Sequence, residues 1–289
     1  MYNYKSRLLL IVLSTGLLTG LPACKKVART SPTKKEKTKQ ETTNSAFSGR
    51  IERLNFEDAT KAYNYYKANN QVPQVVKSIE RMIALSTDHE VINKLIIELA
   101  DIKFKLEAFA EAEALYMRHS LIYPGSPNID YIVSQHIESA FRQILDPARD
   151  QTKTKATIEL SKKFLERFKP SNRYYQRIKS IEQECQYLLL TSELNNIDFY
   201  LQKHTVTGLP APLKAVRQRI IHIKKNILPH IDNKQAHRIA QEIEAQLEEP
   251  EDLKLAPELL TPIVEKIRLL ISEFHGKPAP TEKKARDRF

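Results

Sequence analysis

The chain has 289 residues, 41% of them apolar, with six glycines, two cysteines, no tryptophan and a net charge of +11. Two cysteines exclude a disulfide framework, and the lack of alternating Val/Ile/Thr runs closed by Asn-Gly turns excludes a strand-built fold. The charge is concentrated at the ends: residues 1–24 carry +2, 25–40 carry +6 and 277–289 carry +3, leaving 41–276 neutral. A basic stripe on the folded surface, as electrostatic nucleic-acid binding requires, is therefore not expected, and neither is a nucleic-acid partner.

The first segment, MYNYKSRLLLIVLSTGLLTGLPAC, has a basic start at Lys5 and Arg7, an apolar run from Leu8 to Gly20, and Leu21-Pro22-Ala23-Cys24 at its close. The run is too short to span a bilayer, which takes about 20 apolar residues, and has the length of a secretory h-region. The ending resembles a bacterial lipobox, which implies cleavage after Ala23 and lipidation (palmitate included) of Cys24. An ordinary signal peptide with a chance cysteine and an uncleaved anchor are the alternatives. Each buried acyl CH₂ adds about 0.8 kcal/mol of membrane affinity, so several chains on one residue make a stable anchor. Residues 24–54 then read as lipid anchor and flexible basic linker, rich in Lys, Thr, Ser and Gln and too polar to offset ordering entropy.

Helical periodicity begins at residue 55. Glu57 to Asn69 is expected as one helix and Val72 to Leu85 as its partner, with Val72, Val75, Val76, Ile79, Met82 and Ile83 at helical spacing. Leu99 to Tyr131 is the best patterned stretch. Leu99, Ala100, Phe104 and Leu106 mark one helix; Phe109, Ala112, Leu115 and Tyr116 mark the next, with a tight turn at Glu107-Ala108 and a stop at Pro124, which lacks an N–H to donate. Val72, Val75 and Ile79 lie 37 residues before Phe109, Ala112 and Tyr116, so two units stand in register. The layout is that of a tetratricopeptide (TPR) unit, a helix–turn–helix of about 34 residues that stacks on its copies.

A third unit is expected from Asn128, read as a side-chain N-cap, with helices Ile129–Leu145 and Thr152–Phe168 closed by Pro170. A fourth has one long helix from Arg173 to about Lys203, a loop Thr205–Pro212 and a partner Leu213–Leu228. Ala110, Ala156 and Ala215 each stand 14 residues before a closing proline. Residues 232–248 and 256–275 read as a last, poorly patterned pair. The expected fold class is all-α: a TPR-like α-solenoid of about five helical hairpins. Its divisions are a signal peptide 1–23, anchor and linker 24–54, N-terminal TPR units 55–170, elongated C-terminal units 171–275, and a disordered tail 276–289. Cys185, on the stripe Ile178, Ile181, Cys185, Leu188, is expected in the core.

Three features coincide: the lipobox, the TPR-like units, and the string Tyr123-Pro124-Gly125-Ser126-Pro127-Asn128-Ile129-Asp130-Tyr131. This string resembles the YP-x-x-PNIDY junction of the BamD family, the TPR lipoproteins of the outer-membrane β-barrel assembly (BAM) machinery. Asp150-Gln151-Thr152, within ARDQTKTKA, is similar to the family's RDQT segment, and Tyr200 to Arg217 is a weaker third match. The resemblance covers about residues 57–228 and departs from Ile231 onward. It implies a lipid-anchored protein of the outer membrane facing the periplasm. Its partners would be a BamA-like barrel protein, other BAM lipoproteins and unfolded outer-membrane protein substrates.

No catalytic constellation is present: no Gly-rich phosphate loop, HExxH, CxxC or Gly-x-Ser-x-Gly. His222, His230 and His237 lack a completing carboxylate or cysteine and read as a solvated face; His136 reads as a packing or surface residue; Tyr63, Tyr65 and Tyr66 read as core. The chain is thus expected not to be an enzyme, and to use no metal and no cofactor beyond the lipid on Cys24. What remains is a groove lined by the first helix of each pair. Lys94, Ile97, Asp101 and Lys105, with Tyr131 and Gln135 in the next unit, are the candidates for holding a peptide segment; packing is the competing role, especially for Tyr131. Two other classes stand beside this: a TPR lipoprotein scaffold for pilus or secretin assembly, and a helical-solenoid cell-wall lyase, for which no catalytic domain remains.

Overall fold

A computed structural model describes residues 51–247 and 257–276. Cys24, the signal peptide 1–23, most of the linker and nearly all of the tail lie outside the described residues. The last linker residues do not: Ile51–Arg53 form a 3₁₀ turn with Ile51 buried, and Arg81 Nε donates to the Leu54 carbonyl at 2.8 Å. The folded body thus begins a few residues before position 55, because Ile51 finds an apolar seat.

Among the described residues ten α-helices follow in successive pairs, and no strand occurs. They are α1 (Phe56–Ala68), α2 (Val72–Leu85), α3 (His89–Lys105), α4 (Phe109–Ile122), α5 (Ile129–Phe141), α6 (Thr152–Arg167), α7 (Tyr175–Thr207), α8 (Ala211–Asn226), α9 (Lys234–Leu247) and α10 (Pro257–Gly276). The fold is an all-α, TPR-like helical repeat. Local chemistry sets several boundaries. Asn55 caps α1 by accepting from Asp58 N at 2.8 Å, and Asp88 caps α3 by accepting from Glu90 N at 2.8 Å. These side chains replace the missing partners of the first helical N–H groups. Glu107 turns the chain between α3 and α4 with φ of 59°, the left-handed region that few non-glycine residues enter.

Several boundaries differ from the sequence expectation. Asn128 makes no side-chain capping bond; the neighbouring acid, Asp130, accepts from Tyr131 N instead. α5 ends at Phe141 rather than Leu145, because Gln143 N and Ile144 N turn back to carbonyls three residues earlier and tighten the chain ahead of Pro147. α7 runs four residues beyond Lys203, to Thr207. Thr205 and Thr207 hydroxyls bond to carbonyls one turn back, and Gly208, at φ 66°, provides the left-handed cap. The expected eight-residue loop shrinks accordingly. Pro229 sits in a 3₁₀ turn, Leu228–His230, after α8.

The alanine register also needs correcting. Ala110 and Ala156 are exposed and Ala215 is half-buried. Close helix approach falls on Ala59, Ala62, Ala100, Ala112 and Ala140, none more than 1% exposed. The last helical pair is not poorly patterned: Ala236, Ile239 and Ile243 of α9 and Leu260, Ile263, Val264, Ile267 and Leu270 of α10 are buried in one apolar core with α7 and α8. Exposed polar residues between them interrupt the apolar stripe in the sequence. α7, 33 residues long and so about 50 Å in length, joins two cores. Its first half, Ile178, Ile181 and Cys185, packs with Ile158 and Phe164 of α6; its second half packs with α8 to α10. Cys185 is fully buried, and burial pushes its thiol up to about 12.

Candidate functional site

The first helices of successive pairs are laced together by polar side chains. Tyr63 of α1 donates to Glu98 of α3 at 2.6 Å, and Lys67 reaches the same carboxylate at 2.7 Å. Asp101 of α3 accepts from Tyr131 of α5 at 2.7 Å and from Tyr116 of α4 at 2.6 Å. Glu138 of α5 receives Nε and Nη2 of Arg177, on α7, both at 2.9 Å. Burial, then the Asp101 carboxylate, pushes both Tyr116 and Tyr131 hydroxyls far up, so they stay protonated and donate.

The junction 123–131 is the node of this lacing. Arg167 of α6 donates to the Pro124 carbonyl at 3.3 Å, Asn172 donates to Asp130 Oδ2 at 2.9 Å, and the rings of Tyr131 and Tyr174 lie 6.0 Å apart. The chain between α5 and α6 is organised in the same manner. Asp150 Oδ1 accepts from Thr152 N at 3.1 Å and from its hydroxyl at 2.8 Å, opening α6, while Gln151 accepts from the buried Thr154 hydroxyl at 2.9 Å. The first string thus fixes a joint between repeats, and the second fixes the turn inside the third unit and the start of α6.

A second network links α4, α5 and α6. Glu113 Oε2 accepts from Gln143 at 2.6 Å and Lys153 at 2.5 Å, and its other oxygen lies 3.8 Å from His136 Nε2. Burial lowers the His136 pKa, Glu113 pulls it back up and Lys153 pushes it further down. His119 of α4 is fully buried; its Nε2 contacts Asn93 of α3, and its pKa is lowered by burial.

Of the sequence-derived groove residues, Asp101 and Tyr131 are brought together, as part of the lacing. Lys94 and Lys105 are exposed on α3, while Ile97 and Gln135 are half-buried. His222, His230 and His237 are exposed. Tyr66 is buried, whereas Tyr63 uses its hydroxyl to bridge helices.

The sequence reading missed a cleft formed by α6, α7 and α8. Its floor is Ile158, Leu189 and Ile227, and Lys155, Lys162, Glu193, His222 and Asn226 stand around it, enclosing about 320 Å³. It continues along the same helices into a second hollow of about 330 Å³, which shares Lys155, Glu193 and His222 and adds Tyr200 and Arg219. Arg219 donates to Glu193 at 2.7 Å and lies 5.5 Å from the Tyr200 ring. An apolar floor with mixed-charge walls suits the retention of an extended segment by its side chains and amides. Its residues are too scattered along the sequence for any spacing rule to have gathered them. Among the described residues no cluster of three His, Cys, Asp or Glu could hold a metal ion, and no helix is long and apolar enough to cross a membrane.

Paired helices, polar lacing and an open cleft define a TPR-like helical-repeat protein. Residues 90–209, from the start of α3 to just past the end of α7, match the family model described as YfiO, outer membrane lipoprotein. No curated protein was found to match the chain.

Proposed function

We propose that this chain is a BamD-type lipoprotein: anchored in the outer membrane through lipid on Cys24, facing the periplasm, and acting as a scaffold in the assembly of β-barrel outer-membrane proteins. It binds and positions, without bond chemistry. A BamA-like barrel protein and other BAM lipoproteins are its fixed partners, and segments of unfolded outer-membrane proteins are its cargo. The observation that carries this reading is the match of residues 90–209 to an outer-membrane lipoprotein family over the stretch that holds both signature strings. The helical-repeat fold supports it, since such stacks present concave surfaces to extended partners. Lys94, Asp101, Lys105, Tyr131 and Gln135 form the candidate groove of the N-terminal pairs. The α6–α8 cleft is a second place where a segment could lie.

Affinity capture with the full chain from envelope extracts tests the partner assignment. A BamA-like barrel protein is expected; recovery of only secretin or pilus components would move the chain to another class of lipoprotein scaffold. Replacing Cys24 by Ala tests the anchor: the protein should leave the membrane fraction, and unchanged fractionation contradicts lipidation.

A further inference from the structure

The end of the α7–α8 hairpin is apolar and exposed. Phe199, Val206 and Leu209 are 59%, 81% and 57% exposed. Its polar groups are largely engaged within the tip. The Thr205 and Thr207 hydroxyls donate to the Leu201 and Lys203 carbonyls at 3.1 and 2.8 Å, Gly208 N donates to the His204 carbonyl at 2.8 Å, and His204 Nδ1 lies 2.7 Å from the Leu209 carbonyl. Pro210 and Pro212 bring no N–H at all. A turn organised in this way leaves water at low cost, because few donors are stranded.

Its charge is one-sided. Between Asp198 and Asp232 there is no carboxylate, while Lys203, Lys214, Arg217, Arg219, Lys224 and Lys225 all fall in that span; of these, Arg219 and Lys224, farther along α8, pair with Glu193 of α7 and Glu244 of α9. Neutrality over the whole folded body conceals this local excess. Lys203 and Lys214, both exposed, flank the apolar turn. The acids nearest to it along α7, Asp198 and Glu193, are paired with Arg268 and Arg219; the acidic run 248–252 lies outside the described residues.

We propose that this tip is a membrane-contact element: Val206, Leu209 and Phe199 enter the interface of a bilayer whose anionic headgroups meet Lys203 and Lys214. An apolar knuckle alone would fit a protein pocket equally well. The cationic collar, beside which the nearest carboxylate along α7, Asp198, is already paired with Arg268, together with the self-satisfied turn, matches an anionic lipid surface. Each cation near such a surface contributes about fivefold in affinity, and the contribution weakens with salt. The inference stands on the tip alone and does not depend on the BamD reading.

The absence of tryptophan from the chain makes a direct test available. The full chain carrying Cys24→Ser, and therefore unacylated, is given a single reporter by Leu209→Trp, with Val206→Trp as a second. Vesicles of phosphatidylethanolamine and phosphatidylglycerol with brominated acyl chains should blue-shift and quench either reporter. A tryptophan placed at exposed Leu121 on α4 should show neither effect, even if the basic linker brings the protein to the same vesicles. Lys203→Gln with Lys214→Gln should raise the lipid concentration for half-maximal shift by roughly tenfold or more. Emission from both tip reporters that stays unchanged while the protein cosediments with the vesicles overturns the proposal. So does a blue shift that appears only when a protein partner is added.

Discussion

Between α3 and α6 neighbouring helices meet through Asp101 with its two tyrosines, Asp130 with Asn172, and Glu113 with Gln143 and Lys153; the apolar cluster there centres on Ala100, Ala112, Tyr116 and Ile132. Between α7 and α10 they meet through a continuous aliphatic core, from Leu190 and Ile220 to Ile267 and Ile271. The two regions constrain sequence differently. A hydrogen-bonded pair needs a given donor and acceptor at fixed positions, whereas an aliphatic core accepts many residues of similar volume. The family match ends at residue 209, before α8, and the C-terminal helices that lie beyond it are the aliphatic ones.

That contrast can be broken by substitution. Asp101→Ala should have the largest effect, about 3 kcal/mol in urea unfolding, because it strands two partly or fully buried tyrosine hydroxyls. Asp101→Asn, which keeps an acceptor, should recover most of it. A loss below about 1 kcal/mol for the alanine variant would remove Asp101 from the lacing and return it to the groove.

Acid should act next, and on the same region. His119 and His136 are held neutral by burial, with pKa values below the ordinary range near 6.5. The unfolded chain therefore binds more protons than the folded one once pH drops below about 6.5. Stability is complete above that value and declines toward the lowered folded pKa values. Among the charged groups facing His136, Glu113 moderates the effect and Lys153 reinforces it. Hydrogen exchange at pH 7.5 and 5.5 should show protection falling first in α4 and α5; equal loss in α8 to α10 would contradict the contrast. In the aliphatic half, Ile220→Leu and Ile267→Leu should each cost less than about 1.5 kcal/mol. The smallest effect separates two glycines: Gly208→Ala should cost about 1 kcal/mol for its left-handed backbone, and Gly125→Ala, with negative φ and open space around it, almost nothing.

The helices themselves were legible in the sequence. Val72–Leu85 agrees at both ends, and α3 and α4 meet at the expected Glu107-Ala108 turn, because apolar spacing and a proline stop are local signals. The errors share one cause: a local rule overridden by a neighbour. Asn128 looks like a cap, but Asp130 and the Ser126 turn set the start of α5. Thr205 and Thr207 resemble loop residues, yet their hydroxyls bond back to the helix and extend it. The alanine spacing was numerically regular but fell on exposed or half-buried positions. Asp101 and Tyr131 were correctly placed on first helices, although their mutual hydrogen bond spans 30 residues and no spacing rule would pair them. The carboxylate-free run after Asp198 was readable all along, and averaging charge over 41–276 concealed it.

Depleting the chain from its native cell tests the proposed role most directly. The account expects folded, heat-modifiable β-barrel proteins to disappear from the outer membrane while their unfolded forms accumulate in the periplasm. Normal barrel levels accompanied by loss of a secretin multimer or a pilus would contradict it.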